Sequence, residues 1–146
     1  MLPLIIEPDQ FNHHLQDPNL LIVDLCRPES YAAAHLPGAI HVSPTAIVSG
    51  IRPAVGTLPG LDHLNALFSS IGYSAEKQVV AYDDEGGGWA GRFIWTLDVI
   101  GHKASSYLNG GLHAWAALNL PLTSELPVIK AQPTQLSIDK QFIAEK

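Results

Sequence analysis

The stretch LLIVDLCRPESYAAAHLPGAIHV, residues 20–42, carries most of the fold in miniature. LLIVDL, residues 20–25, is an unbroken apolar run ending beside an acid. A run without alternation reads as a strand buried on both faces, which is the habit of parallel sheets. PESYAAAH, residues 28–35, opens with proline and continues with good helix formers, so it reads as a short helix. Leu36-Pro37-Gly38 is a turn, and Ala39 to Val42 a second short strand. Strand, helix, turn and strand in 23 residues make a compact crossover unit.

Outward from that unit the alternation continues. Glu7-Pro8-Asp9 before FNHHL is a helix start with proline at the first helical position. Residues 43–60 are rich in proline and glycine and read as an irregular loop. LDHLNALFSSIG, residues 61–72, places Leu61, Leu64, Leu67, Phe68 and Ile71 at helical spacing, with Gly72 as the stop. VVAY, residues 79–82, is another buried strand, and a helix from about Trp89 to Ile100 follows, ended by Gly101. SSYL, residues 105–108, is a strand, Asn109-Gly110-Gly111 a turn, and LHAWAALN a short helix. This order predicts an α/β domain with a small, mostly parallel sheet and helices on both faces. From Leu120 the composition shifts to proline and threonine and reads as a linker. IDKQFIAEK reads as the opening of a further helix.

The chain of 146 residues, 47% of them hydrophobic, suits one domain with a sizeable core. Its eight basic residues are scattered and its net charge is −6, which argues against a nucleic-acid partner. A single cysteine, Cys26, excludes an internal disulfide and a cysteine-based zinc site. The seven histidines form no HxxxH or HExxH pattern, so neither a metal nor a cofactor is expected. No apolar run reaches membrane-spanning length and MLPLIIEPDQ lacks the pattern of a leader. The expected compartment is the cytoplasm, with no membrane partner.

The candidate site is the loop after the third predicted strand: Asp83, Asp84, Glu85, Gly86, Gly87 and Gly88. A strand, a tight loop and a helix N-terminus gather backbone N–H groups and the positive end of a helix dipole. Gly86 to Gly91 formally match GxGxxG, but three acids precede the glycines and would repel a pyrophosphate. An apolar strand ending in Asp83, with Glu85 two residues on, also resembles the haloacid dehalogenase motif, which implies a magnesium-dependent aspartyl phosphatase. The second acid is the wrong type for that pattern, and Gly87 stands where a threonine is expected.

Three segments together carry a more specific resemblance. In the first stretch Asp24, Arg27, Glu29, Tyr31, His35, Pro37, Gly38 and Ala39 fall in order on the pattern of the rhodanese family, with Ala34 where glycine is usual. IGYSAEKQVVAYDD, residues 71–84, resembles that family's helix end and central strand. YLNGGLHAWAALNLPLTSE, residues 107–125, resembles its LDGGxxAW segment, with Asn109 in place of aspartate. The resemblance spans residues 5–124 and implies one rhodanese-like domain over 1–124. Residues 125–146 would then be a linker and the start of a second such domain.

The family's chemistry is sulfur transfer through a cysteine persulfide, and the resemblance puts Asp83 at the position of that cysteine. It therefore implies no catalytic residue in this chain. The domain resembles the non-catalytic N-terminal half of tandem thiosulfate or 3-mercaptopyruvate sulfurtransferases. The implied partners are a second rhodanese domain of the same chain and a small sulfur donor in the cleft between the two. The alternative is a stand-alone inactive module used for protein contact or regulation. Cys26 is expected to be a buried filler, Asp24 and Arg27 a structural pair, and Arg92 a counter-charge for the acidic loop. His35 and His41 are expected to bond the backbone around the turn. Trp89, Trp95 and Trp115 are expected in the core or at a domain interface.

Overall fold

The computed structural model describes residues 2–44 and 61–127. Ten elements follow in chain order: β1 (Ile5–Ile6), α1 (Pro8–Asn12), β2 (Leu20–Asp24), α2 (Pro28–Ala33), β3 (Ile40–His41), α3 (Leu61–Ser70), β4 (Gln78–Tyr82), α4 (Gly88–Val99), β5 (Ser105–Leu108) and α5 (Gly111–Ala117). The strands form one sheet in the order β1-β5-β4-β2-β3, and every pairing is parallel. β2 and β4 share the longest register, from Leu20 opposite Gln78 to Asp24 opposite Tyr82.

The unbroken apolar runs of β2 and β4 are explained by two cores. Leu21 and Val23 of β2 and Val79 and Ala81 of β4 face one side, where Leu64 and Phe68 of α3 and Ala90, Phe93 and Leu97 of α4 cover them. Ile22, Val80 and Tyr82 face the other, with Phe11 of α1, Tyr31 of α2 and Trp115 of α5. Side chains alternate along a strand, so a strand covered on both faces is apolar along its length, here with buried polar residues only at the ends, Asp24 of β2 and Gln78 of β4. Trp115, Phe11, Phe68 and Phe93 are completely buried, each a site where truncation to alanine costs about 3–5 kcal/mol.

β1 is an element that periodicity does not reveal. Two residues are too few for a pattern, and Ile5–Ile6 is held by position: the Tyr107 and Asn109 amides donate to Leu4 and Ile6 carbonyls at 2.6 and 2.9 Å. The expected helix at the C-terminal end of the chain, and nearly all of the expected loop over 43–60, lie outside the described residues. Among those described, no helix is long and apolar enough to cross a membrane.

The sheet order sets the place of the site. From β2 the chain goes outward to β3, and from β4 outward the other way to β5. The reversal lies between β2 and β4, and the C-terminal ends of strands at such a point form the usual crevice of an open α/β sheet. Cys26 and Arg27 follow β2 there, and the Asp83–Gly88 loop follows β4.

Candidate functional site

Asp83 is the first residue after β4 and is 1% exposed. Its carboxylate turns back into its own loop. Oδ1 accepts the N–H of Glu85 at 3.1 Å and of Gly87 at 2.9 Å, and Oδ2 accepts the N–H of Ala90 at 2.9 Å. These donors belong to the loop and the first turn of α4, whose initial N–H groups have no partner within the helix. One side chain thus satisfies the donors that would otherwise face an incoming anion, and it places negative charge at the helix's positive end.

The loop's path depends on glycine at Gly87. Its φ is +97°, and a Cβ there would lie 2.5 Å from the Tyr107 hydroxyl. Gly111 is equally constrained, because a Cβ there would collide with the Asp83 carbonyl. That carbonyl accepts the Leu112 N–H at 2.9 Å. Asp83 therefore fastens α4 with its side chain and α5 with its backbone.

The other two acids lie higher. The Glu85 carboxylate accepts the Trp89 indole N–H at 3.2 Å and lies 3.7 Å from Arg27 Nε. The Asp84 carbonyl accepts from His113 Nε2 at 3.0 Å, while Asp84 Oδ1 is buried without a hydrogen-bond partner among the described residues. Beside the loop is a hollow of about 310 Å³ lined by Leu4, Ile5, Gly86, Gly87, Gly91, Ile94 and Tyr107. Among the described residues no group of three or more histidine, cysteine, aspartate or glutamate side chains is placed to hold a metal ion.

The structure corrects two expected ion pairs. Asp24 does not pair with Arg27. Fully buried at the end of β2, it accepts the Tyr82 hydroxyl on Oδ2 and the Cys26 N–H on Oδ1 at 2.8 Å. The Tyr82 oxygen in turn accepts the Leu36 N–H at 3.1 Å. This network ties the β2 and β4 ends to the turn before β3. Burial raises the Asp24 carboxyl above its ordinary value, and the two hydrogen bonds offset part of that shift. Arg27 instead reaches Glu29 at 3.9 Å and Glu85 at 3.7 Å on the exposed rim.

Arg92 does not pair with the acidic loop either. Its guanidinium stacks on the Trp95 ring at 4.6 Å, and its Nε and Nη2 are buried without a hydrogen-bond partner among the described residues. Trp115 is a core residue whose indole donates to the Pro121 carbonyl at 2.7 Å, whereas Trp89 and Trp95 are half-buried.

Cys26 is completely buried among Ile22, Tyr31 and Leu36. Burial, then the neighbouring Asp24, Asp84 and Asp83, push its thiol far above the ordinary value. Holding a thiol in its protonated form weakens it as a nucleophile. His41 Nε2 donates to the Cys26 carbonyl at 2.9 Å, and His35 contacts the Tyr31 and Glu125 carbonyls, so both histidines bond the backbone. The residue that sequence reasoning passed over is Tyr82. Its one signal is a hydroxyl at the end of a strand where a purely apolar residue would pack as well.

A five-stranded parallel α/β sheet with a strand–loop–helix crevice at its reversal point defines the class of protein. The Rhodanese-like domain profile matches residues 7–118, and the chain belongs to that family. It is 47% identical over 145 residues to a thiosulfate sulfurtransferase of Azotobacter vinelandii, covering 99% of this chain and 54% of the relative. It is 49% identical over 137 residues to a thiosulfate sulfurtransferase of Pseudomonas aeruginosa, covering 94% of this chain and 51% of the relative. The crystal structure of a 3-mercaptopyruvate sulfotransferase from Escherichia coli superimposes with a TM-score of 0.84 at 22% identity, over 94% of this chain and 56% of that one. The chain spans about half the length of these relatives.

Proposed function

We propose that this chain is a non-catalytic rhodanese domain that serves a sulfurtransferase by packing against a catalytic second domain. Asp83 is read as standing where the family's sulfur-carrying cysteine stands. The reading is carried by one observation: the Asp83 carboxylate already accepts the Glu85, Gly87 and Ala90 N–H groups. A cradle occupied by the chain's own anion has no place for the sulfur of a persulfide or for an anionic donor. Asp84 and Glu85 add like charge at the same mouth, and the sole thiol is buried and held protonated.

In this reading the domain supplies one wall of a cleft in which the second domain handles thiosulfate or 3-mercaptopyruvate, in the cytoplasm. Support comes from the two thiosulfate sulfurtransferases that are about twice as long as the matched region. A magnesium-dependent phosphatase would need an Asp83 oxygen free to attack phosphorus, and both oxygens are engaged by backbone N–H groups in a buried side chain. The test is mass spectrometry of the intact chain after incubation with thiosulfate. The expected result is an unchanged mass. Addition of one sulfur atom at Cys26 would overturn the proposal. A chain that stays unmodified, yet whose gene encodes no second strand–cysteine–loop–helix unit, would favour the stand-alone binding module.

A further inference from the structure

His35 is completely buried between the end of α2 and the turn before β3. Its backbone forms a two-way bridge with Thr123, each N–H donating to the other's carbonyl at 2.8 Å. Its ring lies between two more carbonyls: Nδ1 is 2.8 Å from the Tyr31 oxygen and Nε2 is 2.8 Å from the Glu125 oxygen. The Tyr31 ring stacks flat on the imidazole, with centroids 3.9 Å apart and planes 9° apart. Residues 121–125 therefore run as a strap over His35, held further by the Trp115 indole on the Pro121 carbonyl.

The chemistry of the two ring contacts is unequal to a neutral ring. A carbonyl oxygen only accepts, and a neutral imidazole carries one N–H. It can donate to Tyr31 or to Glu125 but not to both. An imidazole carrying two protons donates to both at once, along the distances observed. We propose that His35 is a proton-operated clasp: with two ring protons it fastens the strap at residues 121–125, and loss of one proton releases the Glu125 contact. The α2 contact lies within the same short segment as His35, so the bond given up on deprotonation is the one to the strap.

Among the described residues, the titratable groups around this corner are few. Tyr31 of α2 stacks on the ring, and His41 of β3 lies against Tyr31 at 4.9 Å. The buried Asp24 of β2 and Tyr82 of β4 lie behind Leu36, joined to it through the Tyr82 hydroxyl. Glu29 of α2 faces Arg27 on the rim, and Glu125 is on the strap itself. This inference does not depend on the catalytic partner, since every group in it belongs to this chain.

The experiment uses the full 146-residue chain. Nitrogen NMR of the histidine rings reads their protons, and hydrogen exchange of the strap amides, corrected for intrinsic rate, reads the clasp. Across a pH series, strap protection is expected to be high where both His35 nitrogens carry protons and about tenfold lower, the worth of one hydrogen bond, where one proton has been lost. In His35→Gln, whose side chain serves one carbonyl at any pH, the step is expected to vanish. A ring that carries a single proton at every pH at which the chain is folded overturns the proposal. So does strap protection indifferent to ring deprotonation, or a step that persists in His35→Gln and so belongs to His41. If the variant does not fold, the ring and strap readings of the unmodified chain decide alone.

Discussion

Replacing Asp83 by alanine removes one carboxylate and leaves three N–H groups, those of Glu85, Gly87 and Ala90, facing the space it filled. Hydrogen bonds to a charged acceptor contribute about 1.5–3 kcal/mol each, so the gross loss is roughly 5–9 kcal/mol. Two effects reduce it. The variant no longer keeps a carboxylate out of water, which offsets several kcal/mol, and water enters the space left by the carboxylate to meet some of the donors. The net expected loss is about 3 kcal/mol, a large share of the roughly 5–15 kcal/mol that holds a domain together. With a urea slope of about 2 kcal/mol per molar, the unfolding midpoint falls by about 1.5 M. Asp83→Asn keeps the volume and one acceptor but turns an amide N–H₂ toward a backbone donor, so a loss of about 2 kcal/mol is expected. Equilibrium urea unfolding of the three proteins measures this. An alanine variant within about 0.5 kcal/mol of the parent would refute the claim that Asp83 is what organises the loop.

Two further outcomes follow from the buried groups. Tyr82→Phe deletes the donor to Asp24 and the acceptor for Leu36 N–H, leaving both buried and unmet; a loss of about 2–3 kcal/mol in the same unfolding experiment is expected, and a neutral substitution would show that water replaces the hydroxyl. His102 accepts the Tyr73 hydroxyl on Nδ1 at 2.7 Å, donates to Ala104, and is held below the ordinary histidine value mainly by burial. The unfolded chain then binds a proton more readily than the folded one. Stability falls as pH drops through the unfolded value of about 6.5 and stops falling from this source below the folded value. The unfolding free energy measured from about pH 7.5 to 5 is expected to lose this step in His102→Gln, and an unchanged profile would remove His102 as its source.

What the sequence discloses follows the range over which each interaction acts. β2 and β4 are legible because burial on both faces writes itself into every residue of the strand. β1 is not, because two residues at an edge are placed by Tyr107 and Asn109, about a hundred positions away. The loop at Asp83 is legible as a site from its neighbours: a buried strand before it and glycines and a helix after it. Its chemical state is not, since whether a carboxylate faces solvent or its own backbone depends on the turn at Gly86 and Gly87, both with positive φ. Asp24 shows the same limit. Arg27 is three residues away and suggests itself as a partner, yet the bond goes to Tyr82, brought alongside by a register that pairs residues 58 apart. Arg92 is close to the acids in sequence and suggests itself as their counter-charge, but the turn of α4 carries it to Trp95 instead.

The central claim is that this rhodanese domain does not itself transfer sulfur. Thiocyanate formed from thiosulfate and cyanide by the purified 146-residue chain tests it most directly. The account predicts no rate above the uncatalysed reaction, in the parent chain and in Cys26→Ser alike. Turnover in the parent chain that disappears in Cys26→Ser would contradict it, and would make the buried thiol the sulfur carrier.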